Sequence, residues 1–307
     1  MNVAARLPQQ LANGLVLGSV YALIALGYSM VYGILRILNF AHGDVFMVCS
    51  FAGWLVISAL GGDAVRLHPA LVLALAIVLS MAAGGILGAG VERVAYRPLR
   101  KSGRLAPLLS AMGVSIFLQN LVMLATQGRA KTYPTGWLSK GTAMVKVGSV
   151  TVPFTGVLVV AVSAALMLGL QYAVKRTRLG RMMRATAEDT ECAAYMGIPV
   201  DRVIAFTFAL GSALAGAAGV LVGLYYTQVD FMMGFSAGMK AFTAAVLGGI
   251  GNLPGAVLGG IVLGMAESLG TTLVSPVYKD AVAFAILIAA LIVRPDGILG
   301  ESVSEKV

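Results

Sequence analysis

The chain has 307 residues, of which 59% are hydrophobic and only 11% charged, with 22 Lys and Arg against 13 Asp and Glu. Soluble domains are about a quarter charged, and the stretches between the apolar runs are too short to form one, so a soluble enzyme is excluded. The net charge of +9 fits segments lying against anionic lipid headgroups, and no nucleic-acid-binding module accompanies it.

In chain order, apolar runs cover Leu15–Leu35, Asp44–Leu60, Pro69–Gly90, Ala106–Thr126, Pro153–Val174, Val203–Tyr226, Pro254–Val274 and Lys279–Val293. Each is near the roughly 20 residues that cross a hydrocarbon core as a helix. Arg6 before the first run imitates a signal peptide, but that run is too long for a signal core and more spans follow. Period-two alternation is missing, which excludes a barrel. The expected fold is all-α: a polytopic membrane protein with about eight apolar transmembrane segments, some broken or re-entrant. It is read as one transmembrane unit over residues 1–300 with a tail at 301–307.

Half of the basic residues fall in two loops. Arg93, Arg97, Arg100, Lys101 and Arg104 lie in the first, and Lys175, Arg176, Arg178, Arg181, Arg184 and Arg202 in the second. Lys and Arg near span ends are retained in the cytoplasm, so both loops are placed there. Gly61–His68 and Gln127–Val152 are then external, as is the N-terminus if Leu15–Leu35 is a complete span. Cys49 in an apolar run and Cys192 in a basic loop are not expected to pair.

Small residues recur at intervals of four: Ala215, Gly219 and Gly223; Gly255 and Gly259; Gly260 and Gly264; Gly84 and Gly88. Such faces let helix backbones approach in lipid, and packing within the chain is favoured over dimerisation. Two interruptions stand out, Asn39–Asp44 and the Gly-Asn-Leu-Pro-Gly stretch at Gly251–Gly255. Glycine and proline together break a helix. The second break is either a pair of half-helices meeting at a flexible gate or a static tight loop between spans. Interrupted segments in both halves are common in transporters.

No Gly-Lys-Ser or Gly-Lys-Thr is present, so no ATP-binding loop is expected, and no metal-ligand spacing occurs. The second basic loop continues into a helix-prone stretch that stops at Gly197 and Pro199. There, Glu191-Cys192-Ala193-Ala194-Tyr195-Met196-Gly197 resembles the Glu-Ala-Ala…Gly signature of ABC importer permeases, with Cys192 inserted and a different spacing to the glycine. Gly18–Tyr28, Ile37–Asp44, Glu92–Arg100 and Lys240–Gly251 resemble the branched-chain amino-acid permeases, in the order of the H-type subunit of high-affinity leucine/isoleucine/valine importers. The resemblance runs from about Gln10 to Gly300.

The resemblance implies a multi-pass protein of the bacterial inner membrane. It implies a second related permease, two ATPase subunits that bind the ATP, and a soluble substrate-binding protein as partners, with no cofactor, metal or catalytic residue in this chain. It places an ATPase-coupling segment at about 175–202, with Glu188, Asp189, Glu191, Ala193, Ala194 and Gly197 in contact. Polar residues in apolar surroundings are costly in lipid and usually face a cavity or partner. Asn39, His42, Asp44, Gln119, Asn120, Lys240, Asn252 and Glu267, with Gly249 and Gly251 at the break, are therefore the candidate pathway residues. Asp44 reads alternatively as a helix cap, Lys240 as a snorkelling residue and Glu267 as half of an interhelical pair. Import of urea or short amides, and ion-coupled secondary transport, are the competing functions.

Overall fold

The computed structural model describes residues 3–61, 68–100, 102–103, 105–135, 144–147, 150–273 and 275–300. Lys101 and Arg104 of the first basic loop, most of the external loop at 61–68, the end of the seventh apolar run at Val274 and the 301–307 tail lie outside the described residues. Helices follow in order: α1 (Val3–Leu35), α2 (His42–Leu60), α3 (Pro69–Val91), α4 (Leu105–Thr126), α5 (Phe154–Arg176), α6 (Arg178–Glu188), α7 (Thr190–Tyr195), α8 (Val200–Tyr226), α9 (Met233–Gly248), α10 (Leu253–Leu273) and α11 (Lys279–Val293). Among the described residues seven helices are long and apolar enough to cross a membrane. Helices α9 and α11 have 16 and 15 residues, roughly 24 and 22 Å at 1.5 Å per residue, short of the hydrocarbon core when upright.

Helix α1 begins 12 residues before the apolar run expected to open the chain. Its polar first turns have partners: Gln9 donates to Asn13 and to the Thr151 carbonyl, and the Gln10 carbonyl accepts from Ser268. α1 and α8 are the innermost helices, with 89% and 72% of their apolar windows buried, whereas α4 has only 17% and presents Leu109, Phe117 and Leu124 outward. An outer helix with apolar residues on its exposed face is what a lipid surrounding selects.

The small-residue faces are all used inside the chain. Gly260 and Gly264 of α10 lie against Ala22 and Gly18 of α1; Gly255 and Gly259 lie against α9 at Gly248 and Ala244. Gly84 and Gly88 of α3 meet Ser212 of α8, Gly219 meets Phe46 and Ser50 of α2, and Gly223 meets the Tyr133 ring. Lipid gives no hydrophobic drive to join apolar helices, so these close backbone approaches and the dispersion contacts they allow hold the bundle together.

Both basic segments lie at one end of the bundle and are joined there. Arg97 of the 3-10 turn at 97–99 and Arg100 just after it bind Asp201 in the first turn of α8, and Arg100 also binds Glu92 of the π turn at 92–96. The opposite end carries two short antiparallel ribbons, β1 (Lys131–Thr132) with β4 (Gln228–Val229) and β2 (Val145–Val147) with β3 (Val150–Val152). The first holds Tyr133 so that its hydroxyl donates to the Ser50 carbonyl inside the bundle.

Candidate translocation pathway and coupling surface

The polar interruption after α1 turns back into the bundle. Arg36 takes φ +54°, and the chain returns alongside α1 until His42 reaches Gly27. Gly27 lies eight residues above the end of α1, so α2 starts roughly 12 Å inside the basic end. The N-terminal part of α9 meets it there: Gly234 and Gly238 pack on the Gly43 backbone. Two helix starts thus meet within the bundle, and glycine on both sides permits the approach.

Asp44 is 1% exposed. It does not cap α2: its carboxylate accepts from the Ser115 hydroxyl and from the Gln119 amide at 2.9 Å, both on α4. A cavity of about 200 Å³ adjoins it, walled by Tyr28, Phe40, Met112, Phe235 and Met239. His42 is buried edge-on to Tyr28 with ring centroids 4.8 Å apart, and its Nε2 has no hydrogen-bond partner. Asn39 is buried and accepts from the Tyr96 hydroxyl at 3.2 Å. Asn120 stands apart: it is exposed on α4 and donates to the Ile116 carbonyl of its own helix.

Lys240 and Glu267 form a second group on the other side of α9. Lys240 Nζ lies 2.8 Å from Glu267 and 2.7 Å from Asp280, and the Tyr21 hydroxyl donates to Glu267 at 2.9 Å. Lys240 is therefore held by two carboxylates, and Glu267 does pair across helices. A cavity of about 450 Å³ adjoins them and is lined also by Tyr226, Gln228, Asp230 and Lys279, towards the end away from the basic loops. Successive faces of α9 thus serve two cavities, Ser236, Ala237 and Lys240 one, Gly234, Gly238 and Met239 the other. A larger groove of about 560 Å³ between α1, α5 and α10 has no charged lining residue.

Gly249, Gly251 and Asn252 are brought together at the basic end and away from both cavities. Gly249 and Gly251 have φ of +103° and +94°, which glycine adopts without steric penalty. The C-terminal segment closes over this turn: Ile298 and Leu299 donate to the Leu247 and Gly248 carbonyls, and a Cβ on Gly249 would lie 2.5 Å from the Gly300 nitrogen. The Asn252 amide donates to the Leu299 carbonyl and its oxygen accepts from Gly255. Asn252 is thereby engaged within a close-packed tight loop.

The helix-prone stretch at the basic face forms two helices, α6 and α7. Thr177 caps α6 through Gly180, and Asp189 interrupts the helical run and caps α7, accepting from Glu191 and Cys192 at 2.9 Å. This is the usual role of Asp at a helix start. Ala193 is buried, whereas Glu188, Glu191 and Ala194 are exposed. Gly197 turns the chain with φ +80° into open space. Tyr195 and Met196 are 87% and 83% exposed, more than a large apolar side chain facing water alone would favour.

Asp189 is held below the usual carboxylate range by the Cys192 backbone and side-chain donors, and the hydrogen bond to Asp189, followed by the Asp189 charge, holds the Cys192 thiol above its usual range. Thiol reagents attack the thiolate. Labelling of Cys192 is therefore expected to be slow at neutral pH and to rise as pH increases. Asp189→Asn weakens the hydrogen bond that holds the thiol proton and removes the repelling charge, so the pH–rate curve is expected to move to lower pH; an unchanged curve would remove Asp189 as the cause.

Tyr133, Ser115 and Tyr21 were not singled out in the sequence, yet each anchors a polar contact between distant elements. Neither a hydroxyl in an apolar run, as at Ser115 and Tyr21, nor one in the loop after α4, as at Tyr133, gives a local signal of its partner.

Residues 10–291 match the family described as branched-chain amino acid transport system / permease component. The chain is 47% identical to the high-affinity branched-chain amino acid transport system permease protein BraD of Pseudomonas aeruginosa, over 97% of each chain. It is 48% identical to the corresponding permease protein LivH of Escherichia coli K12, again over 97% of each. A probable branched-chain amino acid permease of Methanocaldococcus jannaschii is 27% identical over 94% of this chain and 91% of the relative. With seven membrane-length helices, a buried polar group on each side of α9, and this match along almost its whole length, the chain belongs to the permease-component family of branched-chain amino acid transport systems.

Proposed function

We propose that this chain is one of two related membrane subunits of an ATP-binding-cassette importer and carries leucine, isoleucine and valine across the bacterial inner membrane. The match to branched-chain amino acid permeases over 97% of the chain carries this reading. Two ATPase subunits bind and hydrolyse the ATP, and a soluble binding protein delivers the amino acid from outside. A zwitterion has no net charge, so its import works only against the concentration gradient, and nucleotide binding by the partners can supply this by favouring one of two permease states.

The path is assigned to the region around α9, with Asn39, His42, Asp44 and Gln119 on one side and Lys240 and Glu267 on the other. The Gly249–Asn252 turn supports α9 at the cytoplasmic end. The ATPase surface is assigned to the 175–202 segment, where Glu188, Asp189, Glu191, Ala193, Ala194 and Gly197 shape α6, α7 and the following turn. Tyr195 and Met196 are added as its apolar anchors, because aromatic and apolar side chains buried on binding dominate protein interfaces.

Uptake into vesicles holding the whole importer tests the reading: leucine accumulation is expected to require ATP and to persist when proton and sodium gradients are collapsed. Accumulation driven by an ion gradient alone would replace it with secondary transport. For the docking surface, Tyr195→Ala with Met196→Ala is expected to weaken ATPase association by on the order of tenfold or more, with membrane insertion unchanged. Gly197→Leu places a side chain at φ +80°, which costs about 1–2 kcal/mol, and is expected to lower uptake per ATP hydrolysed. Full association and uptake in both variants would move the docking surface elsewhere. An impermeant thiol reagent is expected to reach Cys192 only from the cytoplasmic side.

A further inference from the structure

We propose that the Asp44 carboxylate binds the α-ammonium group of the travelling amino acid, with the adjoining aromatic and methionine wall taking its aliphatic side chain. The proposal rests on the reading of Asp44 and Gln119 as path residues, and it names the chemistry of that site.

Among the described residues, two other buried carboxylates have a cation: Glu92 binds Arg100 and Glu267 binds Lys240. Asp44 is as buried as these, yet its side-chain partners are neutral, Ser115 and Gln119, and no Lys, Arg or His lies within salt-bridge distance among the described residues. A carboxylate away from water is costly unless a counter-charge offsets it. The N-terminal turns of α2 and α9 nearby supply partial positive charge, which falls short of a full cation. The missing counter-charge is of the kind a primary ammonium carries.

Shape supports the same ligand. The cavity of about 200 Å³ places Asp44, Ser115 and Gln119 on its polar side and Tyr28, Phe40, Met112, Phe235 and Met239 around the rest. Aromatic faces attract an ammonium group, and methionine adapts to branched aliphatic shapes. Space beside the carboxylate is kept by glycine: a Cβ on Gly234 would lie 2.9 Å from Asp44 Oδ1. A hydrophobic wall with one oriented charge would admit leucine, isoleucine and valine, ranking them by about 10–200-fold per methylene.

The test uses the assembled importer in nanodiscs, carrying Cys192→Ser to remove the exposed native thiol and Ile116→Cys as a reporter at the mouth of the cavity, where Ile116 is 59% exposed. Maleimide modification is timed with leucine, with isoamylamine (leucine without its carboxylate) and with isocaproate (leucine without its ammonium). Leucine and isoamylamine are expected to slow modification and isocaproate is not. Asp44→Asn is expected to weaken that protection by about tenfold or more, the loss of one hydrogen-bonded charge contact, while Asp44→Glu keeps part of it.

Equal protection by isocaproate, or full protection retained in Asp44→Asn, would overturn the proposal. So would modification that is slow without any ligand, since the partner subunit would then fill the site, or that never occurs, since no aqueous path would reach it. The amine-against-acid comparison needs no change at Asp44, so misassembly of Asp44→Asn leaves the proposal testable. Failure of ATP-driven leucine uptake in the parent importer would instead remove the functional reading itself.

Discussion

Replacing Gly264 with valine is expected to abolish accumulation of the folded permease. A Cβ at this position would lie 2.2 Å from the Gly18 nitrogen, 2.4 Å from its Cα and 2.7 Å from the Gly14 carbonyl oxygen. These are backbone atoms of α1, so no side-chain rotation relieves the clash, and the two helices must separate. Separation also pulls apart the Tyr21–Glu267 and Gln10–Ser268 contacts along the same seam. Overpacking a core typically costs about 1–3 kcal/mol, and backbone-on-backbone contact places this case at or beyond the upper end. Gly113→Val on the outer helix α4 is the control, because a Cβ there meets nothing within 4 Å. Thermal unfolding in detergent or nanodiscs, with membrane yield, decides the matter; a wild-type midpoint for Gly264→Val would show that α1 and α10 do not depend on this approach.

Truncating Lys240 to alanine is expected to be nearly as damaging, for an electrostatic reason. The Lys240 and Glu267 side chains are each 5% exposed. Removing one member of a buried pair leaves the other charge uncompensated, at a cost of roughly 3–5 kcal/mol. Substituting both with leucine avoids the stranded charge, and such replacements are often neutral or stabilising. The double variant Lys240→Leu with Glu267→Leu is therefore expected to unfold closer to the parent than Lys240→Leu alone, whereas Glu267→Leu alone leaves Lys240 with Asp280; the two changes are expected to couple in a double-mutant cycle. Additive losses would mean that the two residues do not act as a pair. Uptake separates structure from transport: a double variant that is stable but does not transport would assign the pair to the path as well as to the fold.

The membrane class, the positions of most helices and the basic face were legible in the residues alone, because all three depend on local composition. An apolar stretch of about 20 residues has one structural solution in lipid, and the run at Lys279–Val293 coincides with α11. Boundaries moved where polar residues found distant partners. α1 starts at Val3 because Gln9 and Gln10 are satisfied by residues 151 and 268, and no local pattern announces that. The helix-prone basic loop was visible, but its division at Asp189 depended on which way a carboxylate turned.

For the candidate site, chemistry was visible and arrangement was not. Unusual polar residues in apolar runs marked Asp44, Gln119, Lys240 and Glu267, since their transfer cost sets them apart in any bilayer. Their partition into two groups on opposite sides of α9, the isolation of Asn120, and the engagement of Asn252 by Leu299 came from the packing. Asp44 and Gln119 are 75 positions apart, and Tyr21 and Glu267 are 246 apart. Hydropathy and helix signals act over a few turns of chain, whereas a hydrogen bond between two spans depends on which faces meet, and glycine contacts such as Gly43–Gly234 and Gly18–Gly264 set those faces.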